Sequence, residues 1–118
     1  MTGVMILKQA CGLLGDEKRA ATADADDAGL AMVNQIYGEL WSREHRTAFT
    51  PLDALQQPLL LPCRFMPALA YGTAMLLCAD GEAQALHDRF LTLYHRAASH
   101  AGGSFAKRED VLWKNREV

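Results

Sequence analysis

At 118 residues, half of them hydrophobic, the chain suits one domain with a real core. A formal net charge of -2 argues against a generally basic surface of the kind that grips nucleic acid or an acidic membrane. Three cysteines, Cys11, Cys63 and Cys78, are odd in number and widely spaced, which predicts reduced thiols in a cytoplasmic setting and no disulfide framework.

The first helix is predicted from about Thr2 to Leu14. Val4, Leu7, Cys11 and Leu14 recur at steps of three and four and draw one apolar stripe. The apolar run Val4 to Leu7 is stopped by Lys8, with no basic residue ahead of it, so it does not read as a signal peptide. Gly15 is the expected stop. The polar, alanine-rich stretch from Asp16 to Ala25 reads as a loop.

A second helix is expected to open between Asp24 and Asp27, because carboxylates in a first turn face the positive end of the helix dipole. Leu30, Val33, Tyr37, Leu40 and Glu44 form one row, widened by Ile36 and Trp41. The helix ends between Arg43 and Arg46. The connection 47–62 reads as irregular and docked, with room for a short helix or strand. Thr50 and Pro51 suit the cap and first position of a short helical turn. Leu59, Leu60 and Leu61, between Pro58 and Pro62, read as extended, since residues before proline avoid the helical region.

Pro67 stands where the next helix begins. From Ala68 to Ala79 no residue is charged, and only Tyr71 and Thr73 carry polar groups. A helix that is apolar all round is buried, and this one is too short to span a bilayer. It is therefore the expected central element, at about 67–79. Gly72, among Ala68, Ala70 and Ala74, predicts a close approach by a neighbouring helix. Asp80 and Gly81 mark a break, and Glu82 opens an amphipathic helix with Ala83, Leu86, Phe90, Leu93, Tyr94 and Ala97 on one face. That helix ends at Gly102 and Gly103. The fold class is thus all-α: a small bundle of about four helices around a buried central one. Its domain spans 1–103, and a polar C-terminal tail, 104–118, follows. Phe105, Val111, Leu112 and Trp113 are the apolar residues of that tail, and are candidate partner or oligomer contacts.

The reactive residues form no recognisable constellation. Asp24, Asp26 and Asp27 resemble the start of a calcium loop, but Ala28 and Gln35 stand where further oxygen ligands are needed. His45, His87, His95 and His100 lack the three- or four-residue spacing of a helical metal pair. Cys63 lies beside Arg64, which would lower a thiol pKa. With no histidine base in a recognisable signature, it reads as a buried or half-buried structural thiol. Gly102, Gly103, Ser104 and Lys107 do not match a phosphate-binding loop. No catalytic, cofactor-binding or metal-binding residues are expected. No membrane partner is expected either.

The order of the elements carries a family resemblance. A helical pair is followed by Leu61-Pro62, then Pro67-Ala68-Leu69-Ala70-Tyr71-Gly72-Thr73-Ala74, then Asp80-Gly81, then Phe90-Leu91-Thr92-Leu93-Tyr94, with Lys107-Arg108-Glu109-Asp110-Val111 near the end. In these features the chain resembles the small head–tail connector proteins (adaptors, or head-completion proteins) of tailed bacteriophages and prophages. The resemblance runs from about Met5 to Leu112. It implies a non-enzymatic structural subunit at the head–tail interface of the virion, assembled in the cytoplasm of a bacterial host. Such subunits form a homo-oligomeric ring below the portal protein, extend the DNA channel and dock tail-completion proteins. DNA would pass without sequence-specific binding, which suits a mildly acidic chain. The tail around Trp113 would dock on a neighbouring subunit or on the portal. Two other readings stand beside this one. A small helical regulatory or nucleic-acid-binding module would need a basic recognition helix, which no segment offers. A cysteine-dependent enzyme would need an activated Cys63.

Overall fold

A computed structural model of the chain describes residues 1–44, 47–78 and 84–103. Five α-helices carry the described part. Helix α1 spans Gly3–Leu14, α2 Glu17–Ala21, α3 Asp27–Glu44, α4 Met66–Leu77 and α5 Gln84–Ala98. Short 3-10 turns at Ala23–Ala25 and Cys63–Phe65 and a π turn at Ser99–Gly103 complete the order. The all-α expectation holds, and no strand forms among the described residues.

Three helix starts are secured by the same device. The Thr2 hydroxyl accepts from the Met5 N–H. The Asp16 carboxylate accepts from the Arg19 N–H, and the Asp26 carboxylate from the Gly29 N–H at 2.8 Å. Each cap satisfies the third backbone donor of its helix, which otherwise has no intrahelical partner. Asp16 therefore starts α2 where the sequence reads as a loop. That correction has a local cause. Glu17 to Ala21 holds good helix formers with little apolar patterning, so periodicity misses it while the cap creates it. Helix α1 ends at Gly15, whose φ of 71° is the left-handed conformation that glycine adopts without penalty.

Helix α4 is the centre of the bundle. Ala68, Leu69, Ala70, Gly72, Thr73 and Ala74 are buried. Its bounds fall close to the expected 67–79, with Met66 ahead of Pro67 and the last turn closing at Cys78. Pro67 at the second position loses nothing, because its missing N–H would have been unpaired there. Helices α1, α3 and α5 all pack on α4. From α1 come Ile6, Leu7, Ala10 and Cys11, and from α3 Val33, Ile36, Tyr37 and Leu40. Phe90, Tyr94 and Ala98 come from α5. Gly72 sits against Ile36: a Cβ added there would stand 2.8 Å from Ile36 Cγ2. The small residue thus sets the distance between α3 and α4, as its surroundings in the sequence suggest.

The connection 47–62 packs without forming a regular element. The helical turn expected at Thr50 and Pro51 is absent, and a turn forms at 53–57 instead. Asn34, on α3, decides this. Its side chain accepts from the Leu52 N–H at 2.8 Å and donates to the Leu52 carbonyl at 2.9 Å, so it takes over both backbone groups. Leu52, Leu55, Leu59 and Leu61 then point into the core. The connection also closes the start of α1. The Leu55 and Gln57 carbonyls accept from the Val4 and Gly3 N–H groups, and the Met1 carbonyl accepts from the Leu59 N–H. A single antiparallel bridge, Thr2 to Pro58, is its nearest approach to a strand.

Candidate interaction surfaces

The reactive residues are dispersed. Cys63 is exposed, against the buried or half-buried position expected for it, because Pro62 and the 3-10 turn carry it outward while Phe65 fills the core. The Arg64 guanidinium reaches the Ala101 carbonyl with its Nε at 2.8 Å and lies over the Phe65 ring. It ties the start of α4 to the end of α5. Cys11 and Cys78 are buried, and none of the three thiols is in a disulfide. Burial pushes the Cys11 thiol above its ordinary value, opposed in part by Arg19.

The acidic cluster is structural. Asp26 caps α3 and pairs with Arg19 at 2.7 Å. The hydrogen bond from Arg19 holds the Asp26 carboxyl below its usual range, helped by the Gly29 N–H and opposed by burial. His87 lies beside Asp88 at 3.3 Å, and His95 beside the Tyr94 ring. No group of three or more His, Cys, Asp or Glu among the described residues could hold a metal ion. His45, the Asp80-Gly81 break, the start at Glu82 and the whole tail lie outside the described residues. Phe105, Val111, Leu112 and Trp113 are therefore not placed.

A polar seam joins α3 to α5. The Tyr94 hydroxyl donates to Glu39 Oε1 at 2.8 Å, and Arg43 reaches the same oxygen at 3.5 Å. Burial pushes the Tyr94 phenol well above its ordinary value, and the hydrogen bond to Glu39 adds to this. Thr73 is the buried polar group without a partner among the described residues: its hydroxyl makes no hydrogen bond inside the apolar centre.

Two hollows open on the surface. The first, of about 250 Å³, is lined by Leu13, Tyr71, Leu86, Arg89, Phe90 and Leu93. It lies where the end of α1 meets α4 and the first turns of α5. Leu13 and Leu86 stay 42% and 38% exposed on its rim, although Leu86 falls on the face of α5 that periodicity assigns to the core. The second hollow, of about 200 Å³, is lined by Tyr37, Thr50, Pro51, Leu52, Gln57, Pro58 and Leu60. Leu60 beside it is 72% exposed, while its N–H donates to the Tyr37 hydroxyl. The connection that forms the second hollow wraps the start of α1, whereas Leu13 lies ten residues further, about 15 Å along the helix at 1.5 Å per residue. The hollows thus belong to opposite ends of α1. The sequence shows the apolar residues of both, but not their exposure.

Comparison of the chain with protein-family models, with curated proteins and with solved structures found no match.

Proposed function

We propose that the chain is a structural subunit of the head–tail connector type, which assembles into a homo-oligomeric ring beneath a bacteriophage or prophage portal. The observation that carries this reading is the pair of exposed apolar surfaces, around Leu13 and Leu86 and around Leu60, at opposite ends of α1. A ring of identical subunits needs two different patches on each copy, one offered to each neighbour. The order of helices and the Leu61-Pro62 to Tyr94 sequence pattern support the same reading. In this role the ring extends the DNA channel and offers docking surfaces to the portal protein and to tail-completion proteins. The net charge of -2 suits a conduit, because fixed positive charge would hold passing phosphates.

Light scattering across a concentration series, with negative-stain images of the large species, tests the reading. Closed rings are expected, alone or on addition of a portal assembly. A chain that stays monomeric at every concentration and does not bind the portal would refute it.

A further inference from the structure

We infer that Arg64 is a latch that holds the end of α5 in a wide turn, and that residues 99–103 have a second register available to them, the α-helical one. The inference does not depend on the assembly reading.

The local sequence favours the α register. Tyr94, Ala98 and Ala101 are buried at steps of four and three, which is the period of an α-helix. On that spacing the helix runs on to Gly102 and Gly103. Yet α5 stops at Ala98, and Ser99–Gly103 forms a π turn. A π turn closes its hydrogen bonds over five residues in place of four, is rare, and occurs mostly as single turns at functional sites. A departure from the local period needs a tertiary cause.

Two contacts grip the turn. Arg64 Nε donates to the Ala101 carbonyl at 2.8 Å. The last carbonyls of a helix have no intrahelical partner, and a cation there also meets the negative end of the helix dipole. Arg64 is itself held in place. Its guanidinium lies 5.2 Å from the centre of the Phe65 ring, and Phe65 is fixed in the core at 1% exposure. On the other side, Gly102 lies against the Glu44 carboxylate at the end of α3, where any added Cβ would meet it. The Glu44 contact asks only that residue 102 be small. The bond from Arg64 is charge-assisted and directed at one carbonyl, so it selects the register.

The register has a geometric consequence. One residue is about 100° of an α-helix, so the extra residue in the π turn swings the direction of the chain at Gly103 by about that angle. Arg64, standing just before α4, thereby decides how the chain leaves the far end of α5.

The test uses the full chain, labelled with 15N and 13C. Scalar couplings across hydrogen bonds, measured by NMR, report which carbonyl each amide of the turn is bonded to. Arg64→Leu removes the donor and keeps apolar cover on Phe65, while Arg64→Lys keeps a donor. The wild type and Arg64→Lys should show bonds to the fifth residue back. Arg64→Leu should show them to the fourth, with the signals of Phe90 and Tyr94 in place. Bonds to the fifth residue in Arg64→Leu would mean that the turn holds itself, and would overturn the latch. Loss of every coupling in the turn, with fast amide exchange, would overturn the second register. Bonds to the fourth residue in the wild type would overturn the inference outright.

Discussion

Gly72 is the position where the packing of the bundle is most directly testable. A Cβ at this site would stand 2.8 Å from Ile36 Cγ2 and 3.0 Å from its Cγ1 and Cδ1. Ile36 is fully buried, and Cγ2 branches next to the backbone, so it has nowhere to rotate. Overpacking of this kind costs about 1–3 kcal/mol, and the two methyls of a valine push towards the upper end. Replacing glycine in a helix interior recovers only about 0.5 kcal/mol for valine. Gly72→Val should therefore lose about 2 kcal/mol. In urea unfolding this appears as a lower midpoint at unchanged slope. In a thermal scan it appears as a drop in Tm of about 6–12 °C. Gly12 supplies the control. It lies on the exposed side of α1, where an added Cβ would meet no atom within 4 Å, so Gly12→Ala should raise stability by about 0.5–1 kcal/mol. A Gly72→Val chain as stable as the wild type would refute the close approach of α3 to α4.

Three further outcomes are expected. Asp26→Ala should cost about 1–2 kcal/mol, through loss of the α3 cap and the Arg19 partner, as measured by urea unfolding. Because the folded-state pKa of Asp26 is depressed, its contribution is present above the unfolded value near 3.9 and is lost as pH falls through the folded value. The wild type should therefore lose stability below about pH 4 more steeply than Asp26→Ala. Asn34→Ala should cost about 1–3 kcal/mol, because both backbone groups of Leu52 lose their partner, and should speed hydrogen exchange in 47–62 ahead of α4. Tyr94 should stay protonated in an ultraviolet alkaline titration after exposed tyrosines have ionised. Its raised pKa means that its contribution is full below about pH 10 and fades as pH rises through the folded value, and Tyr94→Phe should remove that dependence.

The sequence alone determined the long helices, the Gly15 stop and the buried centre. These depend on neighbours in the chain: apolar residues recur at steps of three and four, Gly15 stands just after one such run, and 68–78 holds no charge. Even the Gly72 contact was legible, because a glycine among alanines in an apolar helix leaves room for another helix. Tertiary structure decided the rest. Asp16 starts α2 because the Arg19 N–H lacks another partner, and apolar spacing does not report that. Residues 47–62 are shaped by Asn34, eighteen positions from Leu52, which competes for the backbone bonds a local helix would have used. Leu86 and Cys63 are exposed although the sequence reads them as buried, since exposure depends on how the packed elements cover each residue. The two apolar surfaces share that origin. Periodicity shows which face of a helix is apolar, and only the packed bundle shows which part of that face is left uncovered.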